Sequence, residues 1–149
     1  MSKVTFKVDG VKEIEKKLKK IGKVPQKYVT KASKSGMNIA LKGAKNGDWL
    51  DQTGEMRRGM KLVGEKSKTK GKKVYRVVFD RSKNDIFQKT SKSGKIAYYP
   101  ASQNYGFYTK NGRYIPGFHF MEKGITENGP AITKKIISIM EKELNKELK

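Results

Sequence analysis

The sequence predicts an α+β fold with two N-terminal helices, an antiparallel β-sheet built round a long hairpin, and a C-terminal helix packed on the sheet. Two observations on patterning predict it. Apolar residues recur at helical spacing up to about residue 46 and again after residue 129, whereas between them they recur at period two, punctuated by turn residues. A third bounds it: 149 residues fit one domain, 1–149, with one core and a flexible basic loop at about residues 81–95.

Val4, Phe6 and Val8 alternate with polar neighbours as in a short half-buried strand, and Asp9-Gly10 supplies a turn. Val11, Ile14, Leu18 and Ile21 form the stripe of a first helix, which Gly22 stops. Pro25 suits the first turn of a second helix, whose face of Val29, Ala32, Gly36, Ile39 or Ala40, and Gly43 runs to about Asn46. Glycine inside a helix costs about 1 kcal/mol against alanine, so Gly36 and Gly43 imply that another backbone packs close there.

Residues 48–54 read as a loop, with Thr53 placed to cap a short helical turn through Arg58. The period then changes to two. Met60 and Leu62 face one way, a polar turn covers residues 64–72, and residues 74–79 are dense in β-branched and aromatic types, which makes a long antiparallel hairpin. Residues 81–95 are polar and rich in glycine and serine apart from Ile86 and Phe87, and read as the mobile loop. Residues 96–107 crowd Tyr98, Tyr99, Tyr105 and Phe107 round Pro100, which suggests a strand at a sheet edge. Asn111-Gly112 marks a hairpin turn into Tyr114 and Ile115. Phe118, Phe120 and Met121 open a short helix ending near Gly124, and Asn128-Gly129-Pro130 starts the last helix, striped by Ile132, Ile136, Ile139, Met140, Leu144 and Leu148.

Charge is the extreme feature: 35 Lys plus Arg against 14 Asp plus Glu, a formal net charge of +21. A polyanionic partner is one reading, and the A-rich codons of lysine in an AT-rich genome are another. Only Arg57, Arg58, Arg76, Arg81 and Arg113 are arginine, and lysine lacks the planar fork that reads base edges, so base-specific recognition is disfavoured. The absence of cysteine excludes disulfides and thiolate metal sites. No apolar run reaches the roughly 18 residues of a membrane span, so the expectation is a soluble protein made in the cytoplasm, with no membrane partner.

Chemistry has few candidates. His119 is the one histidine and reads as a packed or interface residue. Asp48, Asp51 and Glu55 have the composition of a magnesium site but suit solvated or capping roles better. The glycines form no phosphate-binding fingerprint. No catalytic residue, cofactor or metal is therefore expected. Basic residues interleaved with Tyr98, Tyr99, Tyr105 and Phe107 have the makings of a stacking platform for single strands, although aromatics in a sheet more often fill a core.

In chain order, two helices precede Thr53-Gly54-Glu55-Met56-Arg57-Arg58, then Asn104-Tyr105-Gly106, then Ile115-Pro116-Gly117-Phe118-His119-Phe120-Met121 before the last helical region. This order resembles the siphophage and prophage tail-component family of head–tail joining or tail-completion proteins, in which a Thr-Gly-x-Leu-Arg motif, an aromatic-Gly motif and a Pro-x-x-Phe motif occur in that sequence. The resemblance runs from about residue 10 to the end. By position, Thr53 and Gly54 look like the entry to the central hairpin, with Met56 where the family places leucine and Arg57 after it. Tyr105 and Gly106 look like the aromatic-Gly pair, with Asn104 and Phe107 replacing the usual acidic residue and threonine, and Pro116, Phe118 and Phe120 look like the anchor of the final helix. The resemblance implies a non-enzymatic virion subunit, made in the host bacterial cytoplasm, that joins other neck and tail proteins in a homo-oligomeric ring of six through which DNA passes. Lys83, Lys89, Lys92 and Lys95 are the expected contacts to DNA, without sequence preference, or to a partner. A free-standing nucleic-acid-binding protein and a metal-dependent nuclease are the other two readings.

Overall fold

The computed structural model describes residues 26–147; the strand expected at residues 4–8, the helix expected over residues 11–21, and Leu148 lie outside the described residues. Helix α1 (Gln26–Asn46) buries Tyr28, Ala32, Gly36, Ala40 and Ala44, a stripe stepping by four in which only the first residue is large. A stripe that small lets neighbours approach closely, and two helices do so. Helix α6 (Gly129–Glu147) runs antiparallel along it. Lys31 meets Glu143 at 2.5 Å, the Tyr28 hydroxyl donates to Glu147, and Ile132 and Ile136 cover Gly36. Helix α5 (Phe120–Thr126) crosses the other end of α1 at Gly124, where an added Cβ would stand 2.7 Å from the Ala44 nitrogen and 2.8 Å from the Ala40 oxygen. The close backbone approach expected at Gly43 is therefore present, with the Gly124 oxygen 3.1 Å from its Cβ position, while Gly36 is packed by an isoleucine side chain.

The C-terminal helix thus packs chiefly on α1, which corrects the expectation that it lies on the sheet. The single sheet is also corrected. Among the described residues there are three separate antiparallel pairs: β1 (Met60–Gly64) with β2 (Tyr75–Phe79), β3 (Gln88–Thr90) with β4 (Ile96–Tyr98), and β5 (Gly106–Tyr108) with β6 (Tyr114–Pro116). Each strand is five residues or fewer, and among the described residues none pairs outside its own hairpin. The β1–β2 hairpin was legible in the change of period and lies against α1, with Tyr75 Oη 3.4 Å from the Thr30 oxygen.

Two further segments differ from expectation. Residues 81–95, expected as a mobile loop, carry a 3₁₀ turn (Arg81–Lys83), the short helix α3 (Asn84–Phe87) and strand β3. Phe87 is the reason: its ring is 1% exposed and anchors the segment to the core in spite of the polar residues round it. Residues 99–105, expected as edge strand, form helix α4 (Tyr99–Tyr105), because Pro100 lies in its first turn, where a missing N–H and a fixed φ favour a helix. The core gathers Ala44, Trp49, Met56, Met60, Phe87 and Phe120, with Val77, Phe79, Tyr98 and Met121 packed against them.

Candidate interaction surface

The loop after α1 is tied down by one arginine. Arg57, in helix α2 (Glu55–Gly59), donates to the carbonyls of Lys45, Gly47 and Trp49, the last at 2.7 Å, and its guanidinium lies 4.2 Å from the centre of the Trp49 ring. It therefore caps the C-terminal carbonyls of α1 and sandwiches Trp49 against Phe120, whose ring stacks at 4.3 Å. Asp51 accepts the Arg57 backbone N–H at 2.9 Å, satisfying a donor at the start of α2. Thr53 stands one residue before the N-cap position expected for it, and its hydroxyl accepts the Glu55 N–H at 3.3 Å. Gly54 occupies the N-cap position with φ 71°, and the Thr53 carbonyl accepts from Arg58 at 2.8 Å. Met56 is buried in the core.

The other two motifs interlock. The Asn104 carbonyl accepts the His119 N–H at 2.9 Å, and its side chain accepts the Met121 N–H at 3.1 Å while donating to the Glu122 carboxylate at 3.0 and 3.2 Å. Gly106, at φ 89°, pairs with Pro116; an added Cβ would meet the Ile115 oxygen at 2.4 Å, so no other residue fits. Phe120 carries this junction into the core, and its stack on Trp49 joins it to the Arg57 loop. Tyr105 and Phe118 point outward, 57% and 39% exposed. Of the nine motif residues, the structure gathers Gly54, Met56, Arg57, Gly106 and Phe120 into architecture and leaves Thr53, Tyr105, Pro116 and Phe118 at the surface.

Several carboxylates are engaged in the fold. Glu55 holds Lys83 and Arg58, each at 2.5 Å, and these two cations keep its carboxyl below the usual range. The Ser82 backbone N–H, then Lys61 and the Ser82 hydroxyl, hold Asp80 down to about 2. Glu143 is lowered by Lys31. Asp48, Asp51 and Glu55 form no group with metal-ligand spacing among the described residues. His119 is an exposed residue in the left-handed region, φ 52°, starting α5 with its ring 6.4 Å from that of Tyr105. No described helix is long and apolar enough to cross a membrane.

The expected lysine set divides. Lys83 is paired with Glu55 and its stem packs near Gly59, whereas Lys89, Lys92 and Lys95 share the exposed β3–β4 hairpin with Ile96, 66% exposed. The expectation that the aromatics fill a core holds only for Tyr98, whose ring meets Phe87 edge-on and whose phenol is pushed up by burial. Tyr99, Tyr105 and Phe107 stand in solvent together with Tyr108, 73% exposed, and Tyr114, whose ring lies 5.1 Å from that of Tyr108 across the β5–β6 pair. An open groove of about 770 Å³ separates the free edge of β2 from Gln88, Tyr98 and Met121. Trp49, Glu122 and this groove carried no signal in the sequence, because each depends on segments far apart in the chain. A scan of protein-family models and searches of curated proteins and of solved structures match nothing to this chain.

Proposed function

We propose that this chain is a structural, non-enzymatic subunit of a phage or prophage virion neck or tail, acting in tail completion or head–tail joining. In this reading it joins other neck and tail proteins, forms a ring of six subunits through which DNA passes, and travels from the host bacterial cytoplasm into the particle. The observation that carries the reading is the use to which the motif residues are put. Arg57 and Phe120 flank Trp49, while Asn104 and Gly106 tie the end of α4 to the segment that opens α5, as suits a part whose work is to keep its shape.

A second support is the number of open edges. Among the described residues the β3–β4 and β5–β6 pairs have outer edges that a neighbouring subunit could complete, and a closed ring is one arrangement that removes such edges. The β5–β6 hairpin adds a row of exposed aromatics, a residue type enriched at interfaces.

The alternative of sequence-nonspecific nucleic-acid binding is favoured by one observation, the exposure of Tyr99, Tyr105, Phe107 and Tyr108 on a chain of net charge +21. Light scattering at low and moderate salt, with and without a short random DNA duplex, separates the two. The assembly reading expects a salt-insensitive ring, or a monomer indifferent to DNA at moderate salt. Tight binding of the duplex that persists at moderate salt overturns it in favour of nucleic-acid binding, and metal-dependent cutting of the duplex overturns it in favour of a nuclease.

A further inference from the structure

Among the described residues the outer edge of β2 pairs with no strand and has the backbone chemistry of an unfinished sheet. The Asp80 N–H donates to the Gly59 oxygen at 2.7 Å and the Glu65 N–H to the Val74 oxygen at 3.0 Å. With the register Lys61↔Val78 and Val63↔Arg76, these bonds define the residues that exchange hydrogen bonds inside the hairpin. The residues between them, Tyr75, Val77 and Phe79, therefore turn their N–H and C=O groups outward, and among the described residues no strand pairs with them. That edge opens into the 770 Å³ groove, which is walled on its far side by Gln88, Tyr98 and Met121.

The charge of the groove is one-sided. Lys61, Arg76 and Arg81 line it. Lys61 is matched by Asp80 at 3.0 Å and Arg76 by Glu65 at 2.5 Å, while Arg81 forms no ion pair among the described residues. We propose that the open edge of β2 is a docking site for an extended, acidic polypeptide segment of another protein, added as a third strand beside β2. Its alternate side chains divide between the two sides of the groove: apolar ones toward Phe79, Tyr98 and Met121, carboxylates toward Arg81 and Arg76. A peptide matches the edge because it presents donors and acceptors at the β repeat, which a nucleic-acid strand does not. The inference stands on the groove and the β2 edge alone, and leaves the edges of the other two pairs to the assembly reading.

The test uses the full chain and a synthetic ten-residue peptide alternating glutamate with valine, followed by amide hydrogen exchange. Saturating peptide is expected to slow exchange at Val77 and Phe79 by about tenfold or more, since both amides gain an acceptor. The same peptide N-methylated at every backbone nitrogen should fail to protect them. Arg81→Glu, an exposed position, should weaken binding by about tenfold through like-charge repulsion. Unchanged exchange with the acidic peptide overturns the proposal. So does equal protection by a lysine-for-glutamate peptide, protection of these amides by a single-stranded oligonucleotide instead, or slow exchange before any addition, which would mean that the edge is already filled.

Discussion

Asn104 is 1% exposed, and its neutral amide faces the Glu122 carboxylate. An acidic residue at this position would set a buried carboxylate against the exposed one of Glu122, and repulsion together with burial would favour its protonated form. Asn104→Asp is therefore expected to destabilise the protein by about 2–3 kcal/mol, read as the shift of a urea midpoint. Adding Glu122→Gln restores a donor–acceptor match and should recover at least half of the loss. Equal losses in the single and double variants would show that the pairing is not what Asn104 supplies. The role of this residue was hidden in the sequence, where it appears only as a departure from an acidic pattern. What Arg57 does was equally hidden, because it depends on three carbonyls 8 to 12 residues earlier in the chain.

Helix contacts give the clearest test at the scale of elements. A methyl at Gly124 would enter the backbone of α1, which has no rotamer to give way, so Gly124→Ala must part α1 from α5. We expect it to cost about 2–3 kcal/mol, the upper range for overpacking. Gly36→Ala meets the Ile136 side chain at 2.6 Å instead, and repacking of that chain opposes the gain in helix propensity, leaving a change within about 1 kcal/mol. Thermal or urea unfolding of the two variants checks the ordering, and a reversal would mean that α5 is held loosely. Helices α1 and α6 and the β1–β2 and β5–β6 hairpins were legible because periodicity and turn residues are local signals. Helix α4 and the segment from residue 81 were misread for equally local reasons: a proline compatible with two structures, and one buried phenylalanine among polar residues.

Over the whole molecule, 14 acidic residues stand among 35 basic ones, and several are held in ion pairs. Asp80, Glu55 and Glu143 all have carboxyl pKa values below those of the unfolded chain. On acidification the unfolded state binds protons first, so the stability these groups contribute is present above about pH 4–4.5 and lost as pH falls through their folded values. For Asp80 the loss extends down to about pH 2. Urea midpoints should be flat from about pH 5 to 7 and fall steadily from about pH 4 downward, with Asp80→Asn flattening the lowest part of the curve. A midpoint that rises on acidification would remove these pairs from the account. By itself the sequence determined helices α1, α5 and α6, the β1–β2 and β5–β6 hairpins, the close packing at Gly43, the absence of disulfide chemistry and the excess of positive charge, all properties of composition or of short-range spacing. Only the tertiary structure decided that the last helix lies on α1, that the strands form three separate pairs, that Arg57 and Phe120 meet at Trp49, and that the aromatics of the β5–β6 hairpin stay in water. Those outcomes depend on which distant surfaces fit one another, and complementarity of shape between segments far apart in the chain leaves no periodic trace in either segment.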